Sequence, residues 1–291
     1  MCHAVDNPII EQPITHIRHL TQPLLDALAT LREVVGIVCF GSYALGTADR
    51  YSDVDLLVLC HPSVMPVDTR QTVLAMLPTT QHDHGQACDM GWEAPWVAVA
   101  EQVVLEAVTV DMVYQTQAWL TDVVDQVLTT GALSTPAMPF RPYTMLGLLE
   151  TGVVLYDPAG VMAGLRQRVR PYPAVLKANI VRAYEPLMVA GVAELHDYAR
   201  RDIGPDAFLF HLVRVMDAMS SLLYAVNECY DPATKRGEIA LGQLPLLPEG
   251  GVSRLTSLLE GPFDAEGRRR VVAALSPLVA DVQRLIVRAT T

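Results

Sequence analysis

Two acids, Asp53 and Asp55, stand one strand step apart in Ser52-Asp53-Val54-Asp55-Leu56-Leu57-Val58, shortly after a small-residue turn, Gly41-Ser42-Tyr43-Ala44-Leu45-Gly46. On an extended strand, positions i and i+2 share a face, so both carboxylates point one way while Val54 and Leu56 point the other. Two anions about 7 Å apart along a strand repel each other, and a hard divalent cation with oxygen ligands offsets that repulsion. The turn supplies the complementary half. Residues 35–40 are an apolar run that ends at Gly41, so the turn starts where a buried strand stops. Gly41 and Ser42 can then offer backbone N–H groups and a hydroxyl to phosphate oxygens, because glycine admits φ > 0 and close approach to the backbone. The combination reads as a nucleotide-and-magnesium site. A third acid, Asp111, is the only one in the β-branched run Val108-Thr109-Val110-Asp111-Met112-Val113-Tyr114, where a bare buried carboxylate is disfavoured. Asp53, Asp55 and Asp111 are together expected to hold two Mg²⁺ ions that orient a triphosphate and activate an attacking hydroxyl. Singly, each has a plainer reading: a strand-start or turn residue for Asp53, an arginine's partner for Asp55, an edge-strand surface residue for Asp111.

Gly41-Ser42, then Ser52-Asp53-Val54-Asp55-Leu56, then Asp111 resemble the catalytic core of the polymerase-β-type nucleotidyltransferase superfamily. The Gly-Ser-x-Ala-x-Gly form is most similar to its small bacterial members, which include the aminoglycoside adenylyltransferases. The resemblance implies that Ser42 contacts the triphosphate, that Asp53 and Asp55 bind both metals, and that Asp111 completes the metal site, with a further role as base left open. It covers about the first 115 residues. Beyond them, Leu155-Tyr156-Asp157-Pro158 and Ala225-Val226-Asn227-Glu228-Cys229-Tyr230-Asp231-Pro232 with Lys235 resemble the helical C-terminal halves of family members. The implied activity is transfer of a nucleoside monophosphate from an NTP, ATP being the expected donor, to a hydroxyl of a small acceptor, with release of pyrophosphate.

Composition sets the outer limits. The 291 residues are ample for two domains and a buried core. Hydrophobic residues make up 51%, yet charges and prolines interrupt the long apolar runs, so no membrane span is expected. Met1 to Pro8 shows no basic region followed by an apolar core, so a cytoplasmic enzyme without a signal peptide is expected. The five cysteines, Cys2, Cys39, Cys60, Cys88 and Cys229, are scattered without C-x-x-C pairing and are expected to be reduced. His82-Asp83-His84 with Cys88 reads either as a zinc site or as a polar loop. The formal charge of −11 argues against binding a long nucleic acid, since phosphate contacts need clustered Lys and Arg, and fits a small or cationic acceptor better. Oligomeric state is not legible. Lysine is scarce: Lys177 and Lys235 are the only two. Either suits a triphosphate as a compact point charge, or is a solvated surface residue.

The elements that must position these groups fall into two halves. Apolar Ile17, Leu20, Leu24, Leu25, Leu28 and Leu31 are at helical spacing within residues 14–34, ahead of the first strand. Helices are expected after Ser42, over 68–77 and over 116–129, with an irregular segment from Pro78 to Pro95. There Asp89, Trp92, Glu93 and Trp96 either line an acceptor site or pack an ordinary loop. Pro136, Pro139 and Pro142 mark a connector. The fold class is α/β: a small mixed β-sheet nucleotidyltransferase domain over 1–130, followed by an α-helical bundle domain over 131–291.

In the second half the clearest helix opens at Gly204-Pro205 and runs to about Glu228, with Leu209, Leu212, Val213, Met216, Met219, Leu223 and Val226 as its apolar face. A polar stripe of Arg214, Asp217, Ser221, Tyr224 and Asn227 reads as a wet face, or as a face that closes over the nucleotide. In the second case, as in two-domain family members, Tyr224 stacks on the base while Lys235 or Arg236 neutralises the β- and γ-phosphates. Two alternatives stay open: a toxin-type transferase that modifies a protein or tRNA, using a basic groove near Arg166, Arg168 and Arg170, and a catalytically silent nucleotide-binding module.

Overall fold

The computed structural model describes residues 8–77, 81–83 and 99–290. The chain runs α1 (Pro8–Ala29), β1 (Val34–Phe40), α2 (Gly41–Ala44), β2 (Val54–Cys60), α3 (Val67–Leu74), β3 (Gln81–Asp83), β4 (Val99–Leu105), β5 (Val108–Thr116) and α4 (Gln117–Thr130). There follow α5 (Tyr143–Thr151), β6 (Val153–Tyr156), α6 (Val161–Val169), α7 (Ala174–Arg201), α8 (Pro205–Val226), α9 (Gly237–Gly242), α10 (Gly251–Ser257) and α11 (Ala265–Thr290). They form two compact units. The first gathers the described residues up to Pro171 together with Pro232–Lys235, and the second gathers Tyr172–Asp231 with the described residues from Arg236 on.

In the first unit a six-stranded mixed sheet has the order β3-β4-β5-β2-β1-β6. Only β2 and β5 are parallel; the other pairs are antiparallel. Ile17, Leu20, Leu24 and Leu28 of α1 and Leu74 of α3 pack with Val54, Leu56 and Val58 of β2 and Val110, Met112 and Tyr114 of β5, so one face of the sheet is closed. The intervening residues Asp55 and Asp111 therefore leave the sheet on the opposite face. Cross-strand register lines up Gln102 (β4), Asp111 (β5), Asp55 (β2) and Phe40 (β1) in one row. Helix α4 starts where expected, with Thr116 Oγ1 accepting a hydrogen bond from the Trp119 N–H at 3.1 Å, and ends at Gly131 in the left-handed region.

Two parts of the sheet depart from the sequence reading. The region 131–291, expected to be an α-helical bundle, contributes β6, which adds antiparallel to β1. The divide is expected at 130–131; the compact unit that holds the sheet also takes in α5, β6 and α6, up to Pro171. Arg166 ties this section together: its guanidinium donates to the carbonyls of Leu149, at 2.8 Å, and Gly152. Arg168 pairs with Asp125. Two of the three arginines considered for a basic groove thus have partners within the fold.

In the second unit α7, α8 and α11 pack around Leu176, Ile180, Leu195, Phe208, Leu212, Met219, Leu275 and Val282. A Cβ on Gly191 would lie 2.4 Å from Val215 Cγ2, so this glycine lets α7 and α8 approach closely. The buried side of α8 keeps Leu212, Met219, Leu223 and Val226 of the expected face and adds Phe208, Val215 and Leu222, while Val213 is 55% exposed. The polar stripe divides as well. Asn227 is buried and clasps Leu246, accepting its N–H at 2.7 Å and donating to its carbonyl at 2.9 Å, and Ser221 is buried too. By length and composition α8 is apolar enough to cross a bilayer, with mean hydropathy 1.3, but 56% of that window is buried inside the fold. Cys39 and Cys60 are free, whereas Cys229, expected to be reduced, is disulfide-bonded. The His82-Asp83-His84/Cys88 reading and the Asp89, Trp92, Glu93 and Trp96 segment also rest on side chains outside the described residues.

Candidate active site

The site forms where β1 ends and β2 begins. At Gly41 the backbone turns with φ +70, and a Cβ there would lie 2.2 Å from Asp55 Oδ2. The strand-end carboxylate therefore occupies the space that only glycine vacates, and only glycine adopts that φ without strain. Ser42 follows. Its carbonyl accepts the Thr47 N–H at 2.9 Å, which closes the turn, while its hydroxyl oxygen is buried with no hydrogen-bond partner. A buried, unpaired hydroxyl beside a glycine turn is a ready donor for a ligand oxygen.

Ligand-capable oxygens of Asp53, Asp55 and Asp111 all lie within 4.8 Å of one another, and all three residues are half-buried. Of these three, Asp55 and Asp111 are direct partners across the parallel β2/β5 pair, and Asp53 is one step before the strand. Burial pushes the Asp55 carboxyl up to about 7, with Asp53 and then Asp111 adding repulsion and Lys235 pulling the other way. Asp111 is also raised, again chiefly by burial, against which the hydrogen bond from Gln102 and the charge of Lys235 act. Burial and the Asp55 charge together hold the nearby Cys39 thiol at about 12, so it stays protonated. Three hard oxygen donors crowded at this range, beside an unpaired hydroxyl, form a donor set that fits Mg²⁺.

The other expected site residues separate. Lys235 is exposed and lies in the first unit, where its charge reaches Asp55 and Asp111. Arg236 is half-buried and falls in the second unit. Tyr224 is 6% exposed within α8, and burial followed by the Asp231 charge raises its hydroxyl pKa, so it offers no open ring face for stacking. Lys177 is structural: it donates to the Ala289 carbonyl at 2.7 Å and pairs with Glu228 at 3.2 Å.

Sequence reasoning missed Gln102, whose side-chain N–H donates to Asp111 Oδ1 at 2.7 Å. The only available signal was a polar residue in a β-forming run, and β4 itself was not recognised. It also missed the buried Arg70–Glu101 ion pair, 2.8 Å long, which joins α3 to β4 beneath the Tyr114 ring.

Residues 23–78 match the family model described as "Nucleotidyltransferase domain". That span holds the Gly41 turn, Asp53 and Asp55; Asp111 lies beyond it. No curated protein matches the chain. Among solved structures, a nucleotidyltransferase-like protein from Exiguobacterium sibiricum aligns at 10% identity and TM-score 0.45 over 94% of this chain and 78% of its own. Spectinomycin adenyltransferase AAD(9) from Enterococcus faecialis, solved with ATP and spectinomycin, aligns at 11% identity and TM-score 0.30 over 97% of this chain and 99% of its own. Both likenesses are too loose to argue from. Residues 23–78, with the Gly41 turn, Asp53 and Asp55, are thus similar to a nucleotidyltransferase domain.

Proposed function

We propose that the protein is a magnesium-dependent nucleotidyltransferase that transfers a nucleoside monophosphate, with ATP as the expected donor, to a hydroxyl of a small acceptor and releases pyrophosphate. The observation that carries this reading is the convergence of Asp53, Asp55 and Asp111 within 4.8 Å, one residue pair away from a glycine turn with an unpaired buried hydroxyl. Asp53, Asp55 and Asp111 would hold the two cations, which when bound supply charge neutralisation along the triphosphate. The Gly41-Ser42 turn binds phosphate oxygens through the Ser42 hydroxyl and backbone N–H groups. Lys235 adds positive charge on the phosphate side, as a compact ammonium suited to a triphosphate.

The acceptor hydroxyl oxygen bonds to the α-phosphorus while the bond from that phosphorus to the bridging oxygen breaks, and pyrophosphate departs with the electron pair. Asp111 takes the hydroxyl proton. Catalysis then rests on alignment and on fixed charge rather than on covalent chemistry by the protein. A small acceptor is favoured because the formal charge of −11 works against a long polyanion and the Arg166 and Arg168 side chains are engaged within the fold. A cytoplasmic enzyme fits this use of ATP.

The test is incubation with Mg²⁺ and each α-labelled NTP beside small-molecule, protein and tRNA acceptors, following the label. Transfer to a small molecule supports the proposal. Transfer confined to protein or tRNA replaces the acceptor class, and binding without any transfer makes the chain a nucleotide-binding module.

A further inference from the structure

Gln102 and Asp111 are directly opposite each other in the antiparallel β4/β5 ladder, on the face of the sheet that carries Asp55. Opposite residues on one face of a sheet are near enough for their side chains to meet, and these do, at 2.7 Å from Gln102 Nε2 to Asp111 Oδ1. A carboxylate can only accept, so the amide nitrogen must be the group turned toward it. The glutamine is half-buried, and its neighbours along the strand, Glu101 and Val103, are buried, so the ladder fixes where its side chain starts.

The row across the sheet gives its two sides different jobs. Phe40 of β1 leads into the Gly41-Ser42 turn, and Gln102 of β4 follows Asp111 on the other side, with Asp83 of β3 next in register. Asp111 comes from a different strand than Asp53 and Asp55, and no backbone turn constrains it in the way that Gly41 constrains Asp55. Its carboxylate needs a separate restraint against rotation.

We infer that Gln102 is a positioning residue: by engaging Asp111 Oδ1 it fixes the rotation of that carboxylate and leaves the remaining lone pairs directed to the cation that Asp53, Asp55 and Asp111 share. This rests on the proposed function. Groups that hydrogen-bond to a metal ligand set its orientation, and their loss commonly costs about 10–100-fold in metal affinity.

The test is Mn²⁺ affinity, read by electron paramagnetic resonance in the presence of a nonhydrolysable ATP analogue, for four proteins: wild type, Gln102→Met, Asp111→Asn and the double variant. Methionine keeps the length and removes the donor; if it does not fold as judged by circular dichroism, Gln102→Leu takes its place. The expected result is roughly tenfold weaker Mn²⁺ binding in Gln102→Met, with no further loss when the same change is added to Asp111→Asn, because the glutamine acts through that aspartate. Wild-type affinity in Gln102→Met overturns the inference alone. So does an equal loss in both backgrounds, which would mark a general structural effect. If wild type binds no Mn²⁺, or Asp111→Asn binds it as wild type does, the metal reading itself falls and this inference with it.

Discussion

Gly41 and Asp55 occupy each other's space: the Oδ2 atom lies 2.2 Å from where a Cβ would be, at a backbone φ of +70. Gly41→Ala is therefore expected to cost about 1–2 kcal/mol from backbone strain alone and to displace the carboxylate. A misplacement near 1 Å commonly lowers turnover about 100-fold, so label transfer should fall by that order while circular dichroism stays native. Retained turnover would show that Asp55 is not held at the reacting centre. Asp55 itself carries a pH dependence. Its folded pKa of about 7 exceeds the unfolded value of 3.8, so the charged form is penalised by folding. The penalty starts as pH rises through the unfolded value and is complete above the folded one. Metal-free Asp55→Asn should accordingly be nearly as stable as wild type near pH 4 and more stable above pH 7, by on the order of 4 kcal/mol. Thermal melts in chelator at the two pH values check this, and Asp55→Asn should at the same time lose transfer. A stability gain that is equal at both pH values would refute the buried-charge explanation.

The β4/β5 hairpin shows where local sequence and structure part. Its two-residue turn, Glu106 and Ala107, has φ of +48 and +68, the pattern of a type I′ turn, which ordinarily calls for Asn-Gly. Replacing the pair by Asn-Gly should stabilise the protein by about 1 kcal/mol, seen as a raised denaturation midpoint with an unchanged slope; a lower midpoint would mean that the native side chains make up for the strain. The same atypical turn explains why β4 was illegible: nothing marks a hairpin between Leu105 and Val108. What was legible had strong local physics behind it, namely the 17-20-24-28 stripe of α1, the Asp-x-Asp alternation on β2 and the helix over 116–129. β6 was missed because four residues are too few to show a period, and its place beside β1 is set by tertiary pairing. The α8 face was read only in part because the helix is apolar on several sides, so that burial of Phe208 and Val215 over Val213 depends on neighbouring α7 and α11. Arg70 and Glu101 belong to the same class: no pattern in the sequence pairs residues 31 apart, yet both are buried. Arg70→Met should cost about 3–5 kcal/mol, because it leaves the Glu101 carboxylate buried and unpaired; chemical denaturation measures it, and a loss under 1 kcal/mol would show that water reaches the glutamate.

At the scale of the molecule, the chain has two lysines against 32 acids, and the structure gives them opposite settings. Lys177 is 14% exposed and ties the start of α7 to the Ala289 carbonyl and to Glu228 within the second unit. Lys235 comes from the C-terminal half of the sequence, but Pro232–Lys235 belongs to the first unit, where the ammonium is exposed and its charge is felt by Asp55 and Asp111. A cation whose charge reaches two of the carboxylates and which is open to solvent could meet a triphosphate that enters with its own negative charge. If it does, Lys235→Ala should weaken NTP binding by about 1.5–3 kcal/mol, the scale of a charge-assisted hydrogen bond, and leave the melting temperature nearly unchanged, since exposed charges contribute little to stability. Lys177→Ala should do the reverse, lowering the melting temperature with no change in NTP affinity. Calorimetric titration with a nonhydrolysable ATP analogue and Mg²⁺, paired with melts of both variants, separates the two. An unchanged dissociation constant for Lys235→Ala would confine nucleotide recognition to the Gly41-Ser42 turn and the three aspartates.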